Sequence, residues 1–363
     1  MTMASLEEYS TVPTFDPDHD LELREPAYST LKKSNKPIAV LKNVNPWLLT
    51  YSGLSFIMIS LVFIYTDQLI QHSKSSICIT PVVRREWRTL SRNEKHEYLE
   101  AVKCLRSKPS ILGTNHSLYD DFGYSHIQIG DYAHETAGFL PWHRYFIHIY
   151  EQALREQCDY LGYLAYWDWE LDWADIEKSP VWDGEDGFGG DGTGDIGVGE
   201  GRCVADGPFA NMTLFYYEDS EQQHCLSRGF RHGLEKDKFV TSRLSPASLQ
   251  ETFDSSDYRS FNLALEDGAH RAIPAFLQGE FGSFTSPNDP IFFLHHTQVD
   301  RLWWEWQQID PRRRLRDYGG KVGTAESSRD ASINDILHVG GLGRAITVSE
   351  IMSTETEILC YIY

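Results

Sequence analysis

Apolar positions follow different periods in different parts of the chain. Trp47 to Tyr65 reads WLLTYSGLSFIMISLVFIY, 19 residues without a charge, enough to cross a hydrocarbon core of ~30 Å as a helix. It starts too far in for a secretory signal, and no small-residue cleavage site follows it. The pattern therefore predicts one transmembrane helix over 47–65. A polar tail over 1–46, with Pro and acidic residues and no sustained period, is expected to be disordered, and 66–77 to be a linker. From Arg84 the period becomes helical: Trp87, Leu90, Tyr98, Leu99, Val102 and Leu105 predict one or two amphipathic helices. Phe146, Ile149, Tyr150 and Leu154 predict a helix over Trp142–Cys158. Further helices are expected over Pro246–Phe253, Ser260–His270 and Pro290–Gln308. Asp183–Gly201 is dense in Gly and Asp and reads as a loop; its segment Gly189–Asp195 is similar to a calcium-binding repeat but occurs once. No alternating strand pattern of any length and no internal repeat is seen. The expected domain, 78–363, is mainly α with long loops.

Charge narrows the partners. With 33 Lys and Arg against 53 Asp and Glu the net charge is -20, so the basic face a nucleic-acid binder needs is not expected. The 41% hydrophobic and 13% aromatic content suffices for a packed core. Lys32, Lys33, Lys36 and Lys42 precede the apolar span with no acidic residue among them, whereas Asp67 and Lys74 follow it. This asymmetry places the N-terminus in the cytosol and the domain in the lumen or outside the cell, as a single-pass membrane protein. All six cysteines (Cys78, Cys104, Cys158, Cys203, Cys225, Cys360) lie after the span, as do two glycosylation sequons, at Asn115 and Asn211. Disulfides are expected there, with the pairing left open.

The histidines carry the chemistry. Of 14 in the chain, His126, His134 and His143 form one set and His270, His295 and His296 another. Imidazole suits copper, zinc, iron and nickel. Asp289-Pro290 is a strong helix start, which puts His295 and His296 about one turn in. Neighbours on a helix point ~100° apart, so one of the two is expected to face the metal. Asp300, four residues after His296, shares its face and is placed to receive its other ring N–H. His296 is therefore the expected ligand, with His295 and Asp300 supporting it from behind. His19, His72, His96, His116, His224, His232 and His338 read as ordinary surface or core residues. His148 lies ~140° around the helix from His143 and should not share its metal.

The stretch from His134 through Phe139-Leu140-Pro141-Trp142-His143-Arg144, with Glu151 downstream, resembles the first copper motif of the tyrosinase family. Asp289-Pro290-Ile291-Phe292-Phe293-Leu294-His295-His296-Thr297-Gln298-Val299-Asp300 resembles the second, and Tyr166-Trp167-Asp168-Trp169 the segment between. The resemblance spans roughly 78–310. It implies a type-3 site in a four-helix-bundle core: two copper ions that bind dioxygen and oxidise catechols, or in some members phenols. His126, His134 and His143 would hold the first ion, His270 and His296 two positions of the second. Membrane-anchored short members of the family imply a small phenolic or tyrosine-containing peptide substrate in fungal secondary metabolism.

Two positions and the length after the second motif depart from the family pattern. A further ligand is expected four residues after His270, and the residue there is Pro274. Either another side chain such as His295 completes the second site, or that copper is unusually open, or the site is weak and its chemistry altered. Tyr132 stands where some members carry a cysteine linked to the histidine, so that crosslink is absent. The roughly 55 residues after the second motif leave no room for a C-terminal shielding domain. The alternatives to an oxidase are an oxygen carrier and a non-catalytic or degenerate copper-binding protein.

Overall fold

The computed structural model describes residues 78–231, 234–325 and 327–363. The 47–65 span, the tail and linker before and after it, and His19, His72 and His232 lie outside the described residues. Among the described residues no helix is long and apolar enough to cross a membrane.

The domain is mainly helical, as its periodicity predicts. Helix α1, Arg92–Leu105, starts at a capping box in which Ser91 and Glu94 exchange side chain-to-backbone bonds. It buries Tyr98, Leu99, Val102 and Leu105. Helix α2, Leu118–Ala133, starts the same way at Ser117 and Asp120. Its sequence gives a weak helical period, because Asp120, Asp121, Gly123, Ser125, His126 and Gly130 are buried alongside Leu118, Tyr119, Phe122 and Ala133. Helix α3, Phe139–Cys158, begins three residues earlier than expected and ends at Asp159 in the left-handed region. Helices α4 (Leu234–Leu244) and α5 (Pro246–Phe253) follow.

The helix expected over Ser260–His270 is three pieces. Helix α6, Tyr258–Leu265, runs into a π-helical turn over Glu266–His270, and α7, Arg271–Leu277, restarts after it. Gly268, at φ -88° and ψ -108°, makes the break. The restart explains how Pro274 is tolerated: it is the fourth residue of α7, within the stretch whose N–H groups have no partner in the helix. Helix α8, Ile291–Ile309, is the second-motif helix and packs against α3.

Short strands, none of which the sequence pattern shows, accompany the helices of this mainly α domain. β1 (Val82–Val83) pairs in parallel with the chain's last strand, Tyr361–Ile362. β2 (Gly192–Ile196), within the expected glycine loop, joins β3 (Arg202–Val204) and Ser227–Arg228 in a small sheet. β4 (Thr213–Tyr217) and β5 (Ser220–Cys225) form a hairpin. In β4 the buried Leu214 and Tyr216 do alternate with half-buried neighbours, but the residues between them, Phe215 and Tyr217, are also aromatic, so no alternation shows in sequence. Three disulfides resolve the pairing: Cys78–Cys360, Cys104–Cys158 and Cys203–Cys225.

A buried charge cluster ties the ends of the domain to α3 and α8. Arg144 lies over Trp303 at 3.7 Å, donates to Asp300, and reaches the carbonyls of Ile351 and Met352. Asp300 also accepts from the hydroxyls of Tyr361 and Tyr363, and Arg84 approaches it at 3.6 Å while pairing with Glu151 at 3.0 Å. Both arginines are buried. Asp300→Ala is expected to cost about 3–5 kcal/mol, because it strands buried positive charge. Urea unfolding checks this; a midpoint equal to wild type would contradict it.

Candidate metal centre

The first three histidines converge from two helices. His126, 1% exposed, comes from the middle of α2; His134 caps its C-terminus; His143 stands in the first turns of α3. Each ring is fixed through Nδ1–H. His126 donates to the carbonyl of Phe284 at 2.7 Å, His134 to Gly130 at 3.0 Å and His143 to Phe139 at 2.8 Å. With the hydrogen on Nδ1, every Nε2 is left as a lone pair. The Nε2 atoms of His126 and His143 face each other at 3.3 Å. Two lone pairs at that distance have no hydrogen to share, and a cation between them removes the conflict.

The second set comes from the α6–α7 junction and α8. His270 points Nδ1 at the carbonyl of Glu266 at 3.4 Å. His295 and His296 are buried, and His295 Nε2 and His296 Nδ1 have no partner in the protein. In each set the donor atoms lie within 4.8 Å of one another. The sets adjoin: His143 stacks on His296 at 4.2 Å and 11°, and His134 lies 6.0 Å from His270. Burial is the first cause of a lowered pKa at all six rings, bringing His134 to about 4 and His295 to about 3. The other four move the same way, with neighbouring imidazoles adding to the effect. All six are therefore neutral at pH 7, the form that ligates metal.

The helical-angle expectation for His295 and Asp300 needs correction. His295 stacks on His270 at 5.3 Å while His296 turns to His143, so the ~100° between them lets each address a different neighbour. Their donor atoms still meet, and His295 stands with the ligand candidates rather than behind them. Asp300 does not receive His296; its oxygens are taken by Arg144, Tyr361 and Tyr363. Pro274 lines the cavity shared by the two sets. Trp169, to which the sequence assigns no role, donates its indole N–H to His295 Nδ1 at 3.2 Å. That bond puts the hydrogen of a neutral His295 on Nε2, so a metal binding there has to displace it. Tyr132 is 69% exposed and makes no link to His134.

The remaining histidines behave as expected where described. His96 pairs with Asp186, His116 with Glu221 and His224 with Glu280. Among the described residues the two histidine sets are the groupings suited to a metal, and the glycine-rich loop forms none.

The cavity has a volume of about 470 Å³, enough for a small aromatic molecule. Phe281, Phe284 and Phe292 form its apolar wall, and Glu218 and Asp219 line its exposed side. Phe284 lies 5.1 Å from the ring of His134 and 6.0 Å from that of His126. Gly130 makes room for it: a Cβ there would meet the Phe284 ring at 2.7 Å.

The family model for the common central domain of tyrosinase matches residues 116–309. The tyrosinase-like protein phomQ2 of Diaporthe leptostromiformis is 42% identical over 307 residues, covering 84% of this chain and 78% of that one. The tyrosinase ustQ of Aspergillus flavus is 40% identical over 319 residues, covering 86% and 89%. Among solved structures, a polyphenol oxidase from Thermothelomyces thermophila superposes with a TM-score of 0.68 at 28% identity, covering 82% of this chain and 93% of that one.

Gly130→Ala is expected to destabilise the fold by about 1–3 kcal/mol through overpacking, and Phe284→Ala in the same chain to recover most of that loss. A double-mutant cycle of thermal melts measures the coupling; additive losses would show that Gly130 is not spacing this ring.

Proposed function

The chain belongs to the tyrosinase family, and from that premise we propose that it oxidises a phenolic or catecholic substrate with dioxygen at a copper pair, one ion held by His126, His134 and His143 and the other by His270, His295 and His296. The family, its fold and its copper oxidoreductase class rest on the matches above. The assignment of individual ligands is our reading. The observation that carries it is the pair of buried, neutral histidine sets sharing one cavity, with the Nε2 atoms of His126 and His143 opposed at 3.3 Å.

When bound, the copper pair supplies the redox chemistry that passes electrons from a phenolic ring to dioxygen. The protein's part is positioning. Carbonyl bonds to Nδ1 hold His126, His134 and His143 with Nε2 free, so the donors are arranged before any metal arrives. Phe281, Phe284 and Phe292 give a flat ring an apolar wall and keep water away from the histidines. His295 supplies the donor that Pro274 does not, which weighs against a degenerate second site.

The substrate we favour is a phenol of secondary metabolism, including tyrosine within a small peptide. We also propose that residues 47–65 anchor the chain, with the domain in the secretory lumen. Pairing of all six cysteines in disulfides supports an oxidising compartment, and Asn115 and Asn211 are both exposed.

Copper-loaded protein is expected to hold a pair of ions per chain and to consume oxygen with a catechol. His295→Ala should retain only the first ion by metal analysis, and His143→Ala should abolish oxygen uptake. A wild-type protein with one ion or none and no oxygen uptake would sink this reading. Treatment with an endoglycosidase should shift the mass of the native protein and no longer do so once Asn115 and Asn211 are both changed to Gln.

A further inference from the structure

Two carboxylates line the cavity and have no part in the reading above. Glu218 and Asp219 are the two loop residues of the β4–β5 hairpin, between the paired Tyr217 and Ser220. Both are exposed, and among the described residues neither has a hydrogen bond or an ion pair.

The hairpin that carries them is held firmly. Cys225 at its end is bonded to Cys203. Asn288 donates to the carbonyl of Tyr216 at 2.8 Å. The buried Glu280 accepts from His224 at 3.1 Å, from Asn288 at 3.0 Å and from the backbone of Ser227 at 3.2 Å. Asn288 and Glu280 come from the segment between His270 and His295, so the hairpin is tied to the polypeptide that carries the second histidine set.

Among the described residues no lysine or arginine lines this cavity. The nearby Arg271 is committed to Glu135 and, at 3.3 Å, to Asp267. The cavity therefore has three kinds of surface: the buried imidazoles of His295 and His296, each with one ring nitrogen that has no partner in the protein, an apolar wall of phenylalanines, and an unpaired acidic edge. A molecule matching all three is an aromatic ring with a hydroxyl at one end and a positive charge at the other.

We propose that Glu218 and Asp219 select phenols and catechols that carry a protonated amine, such as an arylethylamine or the amino terminus of a tyrosine-initiated peptide. This rests on the oxidase reading and adds the substrate's charge to it. The ammonium group sits against the hairpin tip while the ring lies along the phenylalanines. A carboxylate in the same place is repelled. With charges a few ångströms apart at a partly solvated edge, the preference is about tenfold in kcat/KM, or about 1.4 kcal/mol.

The test uses the full, copper-loaded chain and three catechols: dopamine, 3-(3,4-dihydroxyphenyl)propionate and the neutral 4-methylcatechol. Oxygen uptake should favour dopamine over the propionate by about tenfold at low salt, and the preference should shrink near ~0.5 M salt as screening sets in. Glu218→Gln with Asp219→Asn should bring the ratio towards one, mainly through KM for dopamine. Glu218→Lys with Asp219→Lys should invert it, an outcome that a merely structural role for the tip does not produce. A wild-type ratio near one, or a ratio kept by the neutralised variant, overturns the proposal even when 4-methylcatechol turns over briskly. If 4-methylcatechol is not oxidised either, the oxidase reading fails and the charge selectivity falls with it.

Discussion

Six imidazoles share one interior, and each has to stay uncharged there. Burial alone lowers their pKa values, and crowding lowers several further. A neutral ring still has a polar N–H to satisfy, and leaving one bare in an apolar setting costs about 1–3 kcal/mol. The backbone meets most of this demand. His134, His143 and His270 each point Nδ1 at the carbonyl four residues earlier, and His126 reaches across to Phe284. Those bonds also decide which nitrogen remains free. Local structure follows this requirement in places: α2 ends at His134, whose ring takes the Gly130 carbonyl, and the α6–α7 break sits where the His270 ring meets the Glu266 carbonyl.

The outer parts of the domain keep that interior closed. Arg84, Arg144 and Asp300 are buried together with Glu151, and the hydroxyls of Tyr361 and Tyr363 complete the cluster. The final residues of the chain are thus part of the core wall behind α3 and α8. The Cys78–Cys360 bridge, closing a separation of 282 residues, holds the same two ends. An aspartate that looked like a partner for His296 is instead a fastener between the chain termini and the helices that carry the ligands. Both uses need a buried carboxylate one turn beyond His296, so the sequence position does not separate them.

What sequence could show was set by the kind of signal each element leaves. α3, α5 and α8 carry apolar residues at helical spacing and were legible nearly to the residue. α2 is hard to read because many of its buried positions are aspartate, glycine, serine and histidine, residues that periodicity does not count as apolar. The β4–β5 hairpin was missed because aromatic residues occupy both of its faces. In the candidate metal centre, clustering and the family motifs point to the three histidines of the first set and to His270 and His296 of the second, and the structure gathers these residues into two groups. For His295, which sequence leaves either behind His296 or completing the second site, a helical wheel gives the direction in which a side chain leaves the axis, not where its ring nitrogen ends. Trp169 and Glu218 leave no local signal at all; their positions come only from tertiary packing.

Pro274 shows how such a site tolerates the loss of an expected donor. On a continuous helix through His270, a proline at that position would remove a backbone hydrogen bond and clash with the preceding turn. Here the helix has already been interrupted by the π-helical turn at Glu266–His270 and the break at Gly268. Proline then falls in the first turn of a new helix, where its missing N–H has no consequence. The same interruption turns His270 towards His295, with the two rings nearly parallel at 5.3 Å and 20°. Backbone irregularity, which would cost stability in a plain helical bundle, here accommodates the proline and sets the His270 ring beside that of His295. The family pattern is altered at Pro274, and the ring that lies beside His270 there belongs to the second motif itself.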